Sequence, residues 1–212
     1  NEVISDIHAK KYLLPSIQRE FVWSTDQITK LFDSLMRDYP INAFLFWKVS
    51  KKNTKEFRFY EFLRDYHQRN KRHNEKADLS GSEDVIAVLD GQQRLTSLYI
   101  GLKGSYAYKL SYKRWDNEQA YPTRKLYLNL LKASEDAEYE YEFEFLTDNE
   151  AKANDEVHHW FKVGDMLDMK SLSDVMKYWS KNIVSKGVGN DKMDFSNETL
   201  SKLYSIIHVN PT

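Results

Sequence analysis

The sequence predicts an α+β protein, and three observations carry that prediction. A short run rich in β-branched residues, Val85-Ile86-Ala87-Val88-Leu89, leads through Asp90-Gly91 into a helical pattern with Leu95, Leu98, Tyr99 and Leu102 on one stripe. A second stripe, Ile28, Leu31, Phe32, Leu35 and Met36, follows the capping-box pair Ser24 and Gln27. Further on, Tyr139, Tyr141, Phe143 and Phe145 alternate with Glu138, Glu140, Glu142 and Glu144, the period of a strand packed on one face and solvated on the other.

The remaining elements fall between these. Tyr12-Leu13-Leu14-Pro15 reads as an extended lead-in, because Pro15 biases Leu14 away from the helical region. Pro40 ends the first helix. Ala43–Val49 reads as a largely buried strand, with Phe57–Tyr60 beside it. From His67 to Asp84 the chain is polar and aperiodic, as a surface loop is. Tyr106–Tyr112 and Lys125–Leu131 are further strand candidates. One helix is expected within Ser171–Ile183, on Leu172, Val175, Met176 and Trp179. Another is expected after Ser196, on Leu200, Leu203, Tyr204 and Ile207, with a linker at 185–191 between the two.

Composition narrows the class. With 212 residues, 41% hydrophobic and 30% charged, the chain fits a globular protein with a sizeable core. The absence of Cys excludes disulfides, thiolate metal sites and cysteine catalysis. No apolar run approaches the roughly 20 residues that span a bilayer, and no signal peptide is visible, so the expected location is the cytoplasm with no membrane partner. The chain starts at Asn1, which suggests that the natural N-terminus lies upstream.

The net charge of −1 conceals two opposed stretches. Lys51–Lys76 is basic, with Arg69, Lys71 and Arg72 clustered near its end, and such a stretch suits either a solvated loop or contact with DNA phosphates. Glu135–Glu156 is acidic and repels nucleic acid. The alternating carboxylates read as a solvated strand face rather than a metal site. His158 and His159 are adjacent, and adjacent strand residues point to opposite faces, which disfavours a shared metal.

Two polar constellations remain. Asp90-Gly91-Gln92-Gln93-Arg94 stands between a strand and a helix. Asp90 would serve as an N-cap with Gln93 completing a capping box; equally, the helix start would hold an anion on free N–H groups, with Arg94 supplying a planar fork of donors. The second constellation has Gln18 and Arg19 after the extended lead-in, Trp23 before the helix, Gln27 in its first turn and Asp33 further along it. Ordinary pairing, packing and capping account for each of these residues separately.

Taken together, Pro15-x-Ile17-Gln18-Arg19-x-Phe21-Val22-Trp23, then Gln27-Ile28-x-x-Leu31-x-Asp33-Ser34-Leu35, Tyr39-Pro40-Ile41 and Leu89–Leu98 resemble the N-terminal domain of GmrSD-type restriction endonucleases, a branch of the ParB/sulfiredoxin-like superfamily. The resemblance is strong over residues 12–102 and weaker afterwards. It implies a core with a mixed sheet flanked by helices over residues 1–104, and an antiparallel β extension with C-terminal helices over 105–212. It also implies a nucleoside triphosphate, held with Mg²⁺, whose hydrolysis licenses cleavage of modified phage DNA. On that pattern Asp90, Gln92, Gln93 and Arg94 are the catalytic candidates. Gln18, Arg19, Trp23, Gln27, Gly91 and Arg94 are the nucleotide-binding candidates, and Asp90 is the candidate for Mg²⁺. The sulfiredoxin activity is excluded by the lack of Cys, and the Gly-Glu-Arg-Arg signature of the ParB branch is absent. Full-length relatives carry a later Phe-x-x-Ile-Asn segment and often a His-Asn-His nuclease domain. Neither has a convincing copy here, so the nuclease is expected in a domain or subunit outside this chain. The alternative reading is a non-enzymatic DNA-binding module that senses modified DNA, using Arg69, Lys71 and Arg72.

Overall fold

Strand β1 (Tyr12–Pro15) and strand β5 (Val85–Asp90) run parallel, with Tyr12 opposite Ile86 and Leu13 opposite Ala87, and this pairing organises the functional half of the protein. The computed structural model describes residues 2–16, 20–79, 84–153 and 155–209. In chain order the other elements are α1 (Glu2–His8), α2 (Thr25–Met36), β2 (Leu45–Val49), β3 (Phe59–Tyr60), β4 (Asp65–His67), α3 (Gln92–Leu102), β6 (Ser105–Ala107), β7 (Thr123–Ala133), β8 (Tyr141–Leu146), β9 (Trp160–Lys162), α4 (Leu172–Asn182) and α5 (Asn190–Tyr204). Helices and mixed sheets together make an α+β fold.

The chain forms two compact units, Asn1–Ser24 with Ile41–Thr123, and Thr25–Pro40 with Arg124–Thr212. A division after residue 104 therefore falls inside the first unit. In that unit a four-stranded sheet has the order β2-β5-β1-β3, with β2 and β3 antiparallel to their neighbours. Alternation along β1 and β5 supplies two faces. Leu14 and Val88 join Ile4, Ile7, Leu95 and Tyr99 in a core built with α1 and α3. Leu13, Val85 and Ala87 join Val49 and Phe59 in a second cluster. β4 pairs in parallel with β6.

In the second unit β7 is flanked by β8 and β9, both antiparallel to it. Phe143 and Phe145 are buried, as their alternation predicts, and Phe143 meets Phe32 of α2 at 5.8 Å between ring centroids. Asp33 is 2% exposed and faces the core. Its Oδ1 accepts from the backbone N–H groups of Glu140 and Tyr141, each at 2.9 Å, and its Oδ2 accepts from Arg37 at 3.3 Å.

Several expectations are corrected. β2 is shorter than 43–49 and lies at a sheet edge, so Leu45 and Phe46 are exposed and only Val49 is fully buried. The strand expected at 106–112 is confined to β6. The last helix starts at Asn190, six residues before Ser196, because Gly189 in an extended conformation serves as its N-cap. α1 carries only two buried side chains, Ile4 and Ile7, too few for a legible period. Among the described residues no helix is long and apolar enough to cross a membrane.

Candidate functional site

Parallel pairing places the C-terminal ends of β1 and β5 side by side, with Ser16 following β1 and the Asp90–Arg94 turn following β5. The carboxyl end of parallel strands is where open α/β sheets collect ligands, because loops and helix N-termini gather there. β5 ends at Asp90, and Gly91 turns the chain with φ +89° as the N-cap of α3. A Cβ at Gly91 would stand 2.2 Å from Cδ1 of Phe44, so glycine is required by backbone angle and by contact alike. The N-cap is thus Gly91 rather than Asp90, and glycine has no side chain to bond back to the helix start.

Gln93 and Arg94 hold the chain around the turn. The Gln93 amide makes a two-point clamp, Nε2 donating to the Glu20 carbonyl at 2.8 Å and Oε1 accepting from the Val22 N–H at 3.0 Å. Arg94 donates to the carbonyls of Ile41 and Ala43 and to Asp90, the last at 3.3 Å, with its guanidinium 4.9 Å from the Phe44 ring centre. Most of this fork is therefore engaged within the protein, which binds the 41–44 segment to α3. Asp90 keeps its carboxylate 71% exposed.

Beside the α3 start lies a polar cavity of about 230 Å³, lined by Ser16, Glu20, Tyr60, His73, Asn74 and Gln92 among others. Ser16 and Glu20 stand on either side of Gln18 and Arg19, which lie outside the described residues. At the cavity edge the Glu20 carboxylate meets Nδ1 of His73 at 2.5 Å. Gln93 therefore fixes the backbone of the residue whose side chain orients His73. Neither Glu20 nor His73 is legible in the sequence as a site residue, since they lie in separate loops with no motif to join them.

The other expected residues are more scattered. Trp23 is half-buried and its carbonyl accepts from the Tyr106 hydroxyl at 3.0 Å. Gln27 belongs to α2, in the second unit. Arg69 donates to the carbonyls of Trp115 and Asp116 at 3.3 and 2.9 Å and lies over the Tyr121 ring, so it supports the 115–121 segment. Lys71 and Arg72 are exposed. Among the described residues no group of three or more His, Asp or Glu side chains is placed to hold a metal ion.

The α+β domain thus opens a cleft at the carboxyl ends of its parallel strand pair, beside a glycine-initiated helix. This chain belongs to the family of GmrSD restriction endonuclease N-terminal domains, whose model matches residues 1–209. It is also similar to an uncharacterized protein of Methanocaldococcus jannaschii, 30% identical over 101 residues that make up 48% of this chain and 16% of that protein. The chain spans about a sixth of that relative's length.

Proposed function

We propose that this chain is a nucleoside triphosphate-binding, and hydrolysing, regulatory domain of a modification-dependent restriction or phage-defence endonuclease, with a ParB/sulfiredoxin-like core and with DNA cleavage performed by a domain or subunit outside it. The observation that carries this reading is that Ser16 and Glu20, which bracket Gln18 and Arg19 in the sequence, meet Gln92 at one cavity near the carboxyl ends of β1 and β5. A cavity of about 230 Å³ suits a phosphate chain, with base and sugar outside. The first N–H groups of α3 and the positive end of its dipole favour the negative charge. Gln18 and Arg19 stand between Ser16 and Glu20 in the sequence, and Arg19 is assigned to phosphate neutralisation.

The division of labour shifts towards Gln92. Gln93 and Arg94 are held by backbone partners and position the loops. Gln92 is buried, lines the cavity and is assigned to orienting water. The Glu20–His73 pair supplies a base beside it. The single exposed carboxylate of Asp90 suits a magnesium ion that arrives with the nucleotide, since Mg²⁺ needs one or two carboxylates plus phosphate oxygens. When bound, that ion neutralises charge on the phosphates. Trp23 and Gln27 are assigned to nucleotide binding on the family pattern alone.

Thermal shift with the four nucleoside triphosphates, with and without Mg²⁺, tests the reading, because a ligand of the native state raises its stability with occupancy. One nucleotide should stabilise the protein, and Gln92→Ala should lower phosphate release while leaving the fold intact. Silence from all four, or unchanged turnover in the variant, would overturn it.

A second reading, a DNA-sensing module, is favoured by one observation. Tyr112 and Trp115 are 79% and 51% exposed on a segment that Arg69 supports, and Lys71 and Arg72 are exposed on the same unit. Exposed aromatics near cations suit stacking on bases. Retention of duplex DNA without nucleotide, lost steeply with salt and abolished by charge reversal at Lys71 and Arg72, would support this reading against the first.

A further inference from the structure

The second unit contains a larger cavity, about 640 Å³, between the end of β7 at Leu131, the 155–159 segment, the end of α4 and the turn that leads into α5. That volume lies within the range of small-molecule sites. Its charged lining consists of Lys186 and Lys192 with Asp155 and Glu156, and neither lysine belongs to an ion pair among the described residues. Each amine is instead held by a neutral acceptor. Lys186 Nζ lies 3.2 Å from Nδ1 of His159, and Lys192 Nζ donates to the Glu156 carbonyl.

His159 explains how Lys186 is placed. Its side chain is buried, 6% exposed, and Nε2 lies 3.0 Å from the Tyr178 hydroxyl. An ammonium proton on Nδ1 requires that nitrogen to be bare, so the imidazole is neutral, with its proton on Nε2 directed to Tyr178. It adds no charge and serves as a fixed arm for Lys186. The nearby carboxylate of Asp155 is committed elsewhere. Its Oδ1 accepts from the backbone of Val157 and His158 at 2.8 Å, and both oxygens lie 2.9 Å from His158 Nδ1. Glu156 is exposed. Two ammonium groups thus border a cavity that Asp155 and Glu156 also line, and neither lysine is ion-paired with those carboxylates among the described residues. On the same wall, a Cβ built at Gly187 or Gly189 would meet nothing within 4 Å, so the wall is open there.

We propose that this cavity binds a small phosphorylated molecule, with its phosphoryl group between Lys186 and Lys192. A doubly charged group matches two ammonium groups, and lysine binds phosphate as a point charge without needing a fork. The site lies wholly in the second unit and does not depend on nucleotide binding at the Asp90–Arg94 turn.

The test uses the whole chain and inorganic phosphate, read through the imidazole C2–H proton signal of His159, assigned by its loss in His159→Gln. Phosphate should move that signal at constant ionic strength, where chloride does not. Lys186→Gln and Lys192→Gln should each weaken the response by about tenfold or more, the effect of losing one charge-assisted bond. Lys192→Gln leaves the His159 contact intact, so its result stands even if Lys186→Gln disturbs the ring. Gln92→Ala should leave the response unchanged. An unmoved signal, or equal affinity in the lysine variants, would overturn the proposal. So would a response to duplex DNA with none to inorganic phosphate, which would make the lysines a DNA-backbone contact.

Discussion

Replacing Gly91 by Ala tests whether the turn is held in its conformation by two independent constraints. The first is the backbone: φ +89° lies in the left-handed region, where a Cβ costs about 1–2 kcal/mol. The second is the 2.2 Å approach to Phe44 Cδ1, which forces that ring to move. The ring packs on the α1–α3 core and lies 4.9 Å from the Arg94 guanidinium, so its displacement adds about 1–3 kcal/mol, the usual range for overpacking. The expected loss is about 2–5 kcal/mol, reduced by the lower entropy of the unfolded alanine chain. Gly187→Ala is the matched control, because φ is +67° but nothing lies within 4 Å of the new Cβ. It should cost about 1 kcal/mol. The assay is amide hydrogen exchange across 85–102 for Gly91→Ala and across 184–190 for the control, which reports local stability without assuming two-state unfolding. A Phe44→Ala background should recover the contact term but leave the backbone term. Equal losses at the two glycines, or no recovery in that background, would refute the account.

Three further outcomes are expected. Asp33→Ala should destabilise the second unit by about 1–3 kcal/mol in urea denaturation, since it removes the buried carboxylate that accepts from the N–H groups of Glu140 and Tyr141 and from Arg37. Gln93→Ala should cost about 1–2 kcal/mol and speed hydrogen exchange at Val22, while Gln93→Glu, which keeps one acceptor but loses the donor to Glu20, should fall between. Burial, aided by Lys186, lowers the His159 pKa from 6.5 to about 4. Between those values the unfolded chain binds more protons than the native one, so stability should rise with pH from about 4 to 6.5 and fall on acidification, by about 1–3 kcal/mol in all. His159→Gln should flatten that slope, and an unchanged slope would dissociate His159 from it.

Local periodicity made much of the fold legible. The α2 stripe, the β5–α3 junction and the β8 alternation each repeat within a few residues, and all three elements form, although β8 begins at Tyr141 rather than Tyr139. Errors came where a pattern was too short or depended on neighbours. α1 offers two apolar residues, and the edge position of β2 follows from which strands pair, not from Leu45-Phe46-Trp47 itself. The helix cap lies one residue beyond Asp90, a good N-cap type, and the close packing of Phe44 on Gly91 has no sequence signature.

The candidate site divides in the same way. Glycine at 91, a strand before it and a helix after it were determined by the sequence alone, because backbone freedom and period are properties of neighbouring residues. Which side chains surround the cavity was decided only by tertiary structure. Parallel pairing of β1 with β5 brings Ser16 and Glu20 to Gln92, and the Gln93 clamp sets the chain that aims Glu20 at His73. Arg94 shows the limit most clearly. A fork of donors was predictable from its residue type, but its partners, the carbonyls of Ile41 and Ala43, lie some fifty positions away and are chosen by packing rather than by spacing.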